Sequence, residues 1–116
     1  MPNDTTFYPL LHHKLIAWRV ACDLLVAVKE AKIGDANLRS QAMRAAQSAC
    51  LNIAEANGRA SLADRRRVFA IARGEATEAA AAVEIAALSG DCPAEHAGKV
   101  QQLAGHTVAL LTGLIR

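Results

Sequence analysis

The sequence predicts an all-α fold, an antiparallel up-and-down four-helix bundle. Three observations predict it. Apolar residues make up 53% of the 116-residue chain, yet only Phe7, Tyr8, Trp18 and Phe69 are aromatic and alanine dominates; this is a helical composition. Apolar residues recur at spacings of three and four through four long segments, the repeat of one helix face. Glycines and prolines sit near the segment ends, so the connections are short and neighbouring helices should run antiparallel. The length suits one domain spanning residues 1–116, able to bury roughly two-thirds of its unfolded surface. So much apolar surface on so small a chain also predicts an oligomer.

Residues 1–12 read as an irregular lead-in. Pro2 and Pro9 resist a helix, and Phe7, Tyr8, Leu10 and Leu11 suit a strap against the bundle. The first helix is expected from His13 to Lys32. Leu15, Trp18, Cys22, Leu25 and Val26 lie on one side, and Ala17, Ala21, Leu24, Val28 and Ala31 widen the stripe. Gly34, Asp35 and Asn37 break it, with Asp35 or Asn37 able to cap the next helix.

The second helix is expected from Leu38 to Asn57, with Gly58 as a left-handed stop. Ala42, Ala45, Ala49, Ile53 and Ala56 form a stripe of small residues that lets another helix come close. Gln41, Arg44, Ser48, Asn52, Glu55 and Arg59 form a polar stripe beside it.

Ser61 caps the third helix, with Asp64 three residues on, close to a capping box. This helix reaches Leu88, where Ser89-Gly90 ends it. Its main stripe is Phe69, Ala72, Ala76, Ala79, Val83 and Ala86; Val68, Ile71, Glu75, Glu78, Ala82 and Ile85 form a second one. Two stripes suggest contacts beyond the helix's own bundle. Asp91 or Cys92 caps the fourth helix and Pro93 suits its first turn. Val100, Leu103, Thr107, Leu110 and Leu114 face inward, broadened by Ala104, Val108, Leu111 and Ile115.

The net charge is +2, but it is unevenly spread. Residues 39–73 hold seven arginines against Glu55 and Asp64, while residues 74–98 hold five acidic groups and no lysine or arginine. This polarity suits nucleic acid, head-to-tail subunit pairing, or a plain solvated face. Cys22, Cys50 and Cys92 are odd in number and widely spaced, as expected of free thiols in a reducing compartment. The N-terminus lacks the basic start and apolar run of a signal peptide. Arg19 and Asp23 interrupt the best apolar stretch, so no membrane span is expected. These signs together predict a cytoplasmic protein.

The line Gln41, Arg44-Ala45-Ala46, Ser48, Asn52-Ile53-Ala54-Glu55, Gly58-Arg59 and Ser61 resembles the small bacterial four-helix bundle proteins known as 23S ribosomal-RNA intervening-sequence proteins. Ile71-Ala72-Arg73-Gly74 and Glu78 continue the likeness, and Trp18 matches an early tryptophan of the family. The chain departs from the family pattern at Cys50, where proline is frequent, at Ala56, where glycine is usual, and at Glu75, where serine is frequent. The resemblance implies an antiparallel bundle that assembles as a homopentameric ring. It also implies a link to nucleic acid, since relatives include basic accessory proteins beside retroelement reverse transcriptases. It implies no enzymatic activity.

Arg65, Arg66 and Arg67 occupy the first turns of the third helix, with Arg59 just before and Arg73 further on. Cations there oppose the helix macrodipole, and a broken local rule can mark a functional site. Guanidinium groups suit phosphate, so these five are candidate contacts to RNA or DNA. The competing use is pairing with Glu75, Glu78 or Glu84 of a neighbouring subunit. For the stripe Gln41, Arg44, Ser48, Asn52 and Glu55, a structural role is expected, with Asn52 fixing register; a polar binding groove is the alternative. His12, His13, His96 and His106 make no metal-ligand spacing. Glu75 and Glu78 lack the Glu-x-x-His partner of di-iron bundles, and Gly74 reads as a packing glycine. No metal, cofactor or catalytic residue is expected.

Overall fold

The computed structural model describes residues 10–116. A short 3-10 turn, Leu11–Lys14, precedes four helices: α1 (Ile16–Glu30), α2 (Ala36–Asn57), α3 (Leu62–Leu88) and α4 (Ala94–Ile115). No strand occurs among the described residues. In the bundle α1 lies against α2 and α4, and α3 against α2 and α4. The strap expected of the lead-in falls partly outside the described residues, with Phe7 and Tyr8; Leu10 and Leu11 are exposed.

The first helix is shorter than the His13–Lys32 expectation at both ends. Leu15 is extended (φ −80°, ψ 128°) and separates α1 from the 3-10 turn. That turn closes on its own bonds, His13 N–H to the Leu10 carbonyl at 3.1 Å and Leu15 N–H to the His12 carbonyl at 3.0 Å. At the far end Lys32 takes a left-handed backbone, φ +50°. The inward face is Ala17, Ala21, Leu24, Val28 and Ala31. Leu15, Trp18, Cys22 and Leu25 are only half-buried flanks, and Val26 points to solvent.

Asp35 caps α2: its Oδ2 accepts from Leu38 N–H at 2.9 Å, so the helix starts at Ala36 rather than Leu38. Two further contacts fix this connection. Arg39 Nη1 donates to the Ile33 carbonyl at 2.8 Å, and Asp35 N–H donates to Asp91 Oδ2 at 2.6 Å. Asp91 therefore ties the α3–α4 connection to the α1–α2 connection instead of capping α4. A Cβ on Gly34 would collide with Asp91 Oδ1, so glycine is what lets that carboxylate approach. The N-cap of α4 is Pro93, without a side-chain bond; neither Asp91 nor Cys92 fills that place.

The two helix stops differ from expectation. Gly58 is right-handed (φ −90°), and α2 closes by 3-10-type bonds, Gly58 N–H to the Glu55 carbonyl and Arg59 N–H to the Ala56 carbonyl, both 3.1 Å. The left-handed glycine is Gly90 (φ +76°). Its N–H reaches the Ala87 carbonyl at 3.0 Å, and Asp91 N–H reaches Ala86 at 2.8 Å. That pair of bonds is the Schellman termination. Ser61 caps α3 by accepting from Asp64 N–H at 3.1 Å. The Asp64 carboxylate does not complete a capping box; it is held by two arginines.

Alanines make the α2–α3 seam close. Ala42, Ala46, Ala49, Ala72, Ala76, Ala79 and Ala86 are fully buried. One cluster of the core gathers around Leu24, Val28, Val83 and Val100, and another around Ile53, Phe69 and Leu111. Buried Thr107 returns its hydroxyl to the Leu103 carbonyl at 2.8 Å. The second stripe of α3 is divided: Val68 and Ala82 are buried, while Ile71 and Ile85 are exposed. Gly74 is exposed, and a Cβ there would meet nothing within 4 Å, so it is not a packing glycine.

Candidate functional site

The turn between α2 and α3 holds most of the arginines singled out by the sequence. Arg59 leaves the end of α2 and reaches Glu55 with one nitrogen and Asp64 Oδ2 with another, at 3.2 Å. Arg67 donates to Asp64 Oδ1 from Nε at 3.1 Å and from Nη2 at 2.9 Å. Asp64 is thus shared by two guanidinium groups. The Arg67 hydrogen bonds, with Arg59 beside them, hold its carboxyl below the ordinary carboxylate range. The hydrogen bond to Glu55, with Asp64 nearby, pushes the Arg59 guanidinium up.

Arg65 and Arg66 are used differently. Arg65 Nε donates to the Arg59 carbonyl at 2.7 Å, and Arg66 Nη2 donates to the Arg116 carbonyl at 3.3 Å. Among the described residues neither pairs with an Asp or Glu side chain. Four guanidinium groups therefore surround two carboxylates, beside the positive end of the α3 macrodipole. Arg73 is not part of this group. It lies further along α3 and donates to Thr112 Oγ1 of α4 at 3.2 Å.

The polar stripe of α2 forms one wall of a groove, and Glu75 and Glu78 of α3 form the other; its volume is about 490 Å³. Asn52 does not reach across the bundle. Its Nδ2 donates to the Ser48 carbonyl at 2.9 Å and to Ser48 Oγ at 3.0 Å, within its own helix. Glu55 at the end of the groove is taken by Arg59. Arg44, Glu75 and Glu78 form no ion pair among the described residues. Sequence reasoning missed Leu51, 69% exposed in this groove. Its signal was an apolar residue stranded between Ser48 and Asn52 on the polar side.

The remaining reactive groups are quiet. Burial pushes the Cys50 thiol up to about 12, with the neighbouring Cys22 adding to it, and also raises Cys22. Such thiols stay protonated and are weak nucleophiles and poor metal ligands. His12 packs edge-on against Trp18, ring centroids 4.5 Å apart, and His13 Nδ1 accepts from Leu10 N–H at 2.9 Å. No group of three His, Cys, Asp or Glu among the described residues is placed to hold a metal ion, and no helix among them is long and apolar enough to cross a membrane.

The family model described as 23S rRNA-intervening sequence protein matches residues 13–113. No curated protein matches the chain.

Proposed function

The chain belongs to the 23S rRNA-intervening sequence protein family, and from that premise we propose that it is a non-enzymatic assembly protein of the cytoplasm that lays its arginine-rich turn on nucleic-acid phosphates. The bundle is antiparallel, up and down, and associates with copies of itself; five is the number the resemblance implies. Three contacts support the antiparallel arrangement of α3 and α4. Arg66 meets Arg116, Arg73 meets Thr112, and Gln101 meets the Ala80 carbonyl, so numbers rise on α3 as they fall on α4.

The observation that carries the nucleic-acid reading is the surplus of guanidinium at the α2–α3 turn. Glu55 and Asp64 occupy Arg59 and Arg67, while Arg65 and Arg66 bond main-chain oxygens and pair with no Asp or Glu side chain among the described residues. Contacts of this kind bind phosphate and read no bases. Repetition around a ring would multiply a field that is modest on one subunit. Arg73, turned toward Thr112, contributes little.

The test is fluorescence anisotropy with a labelled structured RNA and a labelled duplex DNA. An Arg65→Ala/Arg66→Ala variant of unchanged mass should bind at least tenfold more weakly than the parent in low salt. Equal binding contradicts the reading. A second reading keeps the charges for subunit assembly, and Arg44, Glu75 and Glu78, which form no ion pair among the described residues, favour it. A change of mass in the same variant would support it.

A further inference from the structure

The groove between α2 and α3 holds charges that the chain itself leaves unanswered. Arg44 stands on one wall, Glu75 and Glu78 on the other, and Leu51 is exposed among them. Ile71, 43% exposed, lies one turn before Glu75 on α3. An apolar centre with a charged rim is how a protein–protein contact is built. A solvated helix face has no need of Leu51 at 69% exposure.

A second unpartnered face lies on α1. Ile16, Arg19, Asp23 and Val26 recur at spacings of three and four. Ile16 is 57% and Val26 52% exposed. Arg19 and Asp23 form no ion pair among the described residues. This face is the charge complement of the groove: a cation and an anion one turn apart, beside an exposed apolar residue. It belongs to the helix that packs least against α3, so it looks away from the groove and cannot fill it within one chain.

We propose that the α2–α3 groove seats the α1 face of a second copy of this chain, with Arg19 opposite Glu75 and Glu78, Asp23 opposite Arg44, and Val26 against Leu51. Because the two faces differ, the contact is heterologous, the kind that builds a ring when its rotation closes. It leaves Arg65 and Arg66 outside the contact. The proposal rests on the self-association in the proposed function and gives it an address.

The test is the mass of the full chain by sedimentation equilibrium, in low and in high salt, with helix content checked by circular dichroism. Glu75→Arg/Glu78→Arg should weaken association at least tenfold, and Arg19→Glu should do the same. Combining the three substitutions should restore the parent mass. Leu51→Gln should weaken association in a way that salt does not mimic. A parent that is monomeric at tens of micromolar overturns both this inference and the self-association it rests on. A parent that is oligomeric and indifferent to all these changes overturns this inference alone. Rescue of Glu75→Arg/Glu78→Arg by reversing Arg65 and Arg66, rather than Arg19, also overturns it.

Discussion

Asp64 decides how much positive charge the α2–α3 turn presents, because it holds both Arg59 and Arg67. Its carboxyl titrates below the ordinary 3.8 in the folded chain, first because of the Arg67 hydrogen bonds. The stabilisation is therefore fully present above pH 3.8 and is lost as pH falls through the lower folded value. Asp64→Asn should remove that part of the acid-side loss in thermal melts. It should also release Arg67, while Glu55 keeps Arg59, so nucleic acid should bind tighter, with log K against log salt steeper by up to about 0.9 for one added phosphate contact. Gly34 acts through space instead. Gly34→Ala must shift the Asp91 carboxylate and so weaken its exposed bond to Asp35 N–H. The expected cost is about 0.5–1.5 kcal/mol, the net worth of a typical hydrogen bond, measured by urea unfolding.

Each helix is set by its stripe and its ends, and the two were not equally legible. The small-residue stripe of α2 and the main stripe of α3 lie in the core as the periodicity predicts, because a period of three and four is a local property of the chain. The capping roles of Asp35 and Ser61 were legible for the same reason. Gly58 and Gly90 both come after a helix, and only the backbone distinguishes them. Gly90 is left-handed, whereas Gly58 closes with ordinary angles. Gly90→Ala should thus cost about 1–2 kcal/mol, and Gly58→Ala should stay within about 0.5 kcal/mol. Gly74, Gly98 and Gly105 have open space where a Cβ would go. Alanine at each should stabilise the isolated bundle by roughly 0.5–1 kcal/mol, read by thermal melts. The tether made by Asp91 was not legible because its partner Asp35 lies 56 residues away. Asn52 was not legible either, because serine one turn back offers a nearer acceptor than any other helix.

On the scale of the molecule, the bundle separates its charges by place. Arg59, Arg65, Arg66 and Arg67 gather at the α2–α3 turn, and Glu75 and Glu78 look into the groove along the same pair of helices. The gathering was legible, since four of the five arginines lie within nine residues of sequence. The split between occupied and available cations was not, because it depends on which side chains reach Asp64. Arg73 fell outside the group because its partner Thr112 is on α4. The salt dependence of binding speaks most plainly to phosphate contact. Anisotropy of a labelled duplex DNA and a labelled structured RNA with the parent protein, across a salt series, gives the slope of log K against log salt. A steep negative slope that flattens in Arg65→Ala/Arg66→Ala is the result predicted for arginines seated on phosphates. No binding at the lowest salt, or a slope unchanged by removing both arginines, would contradict it.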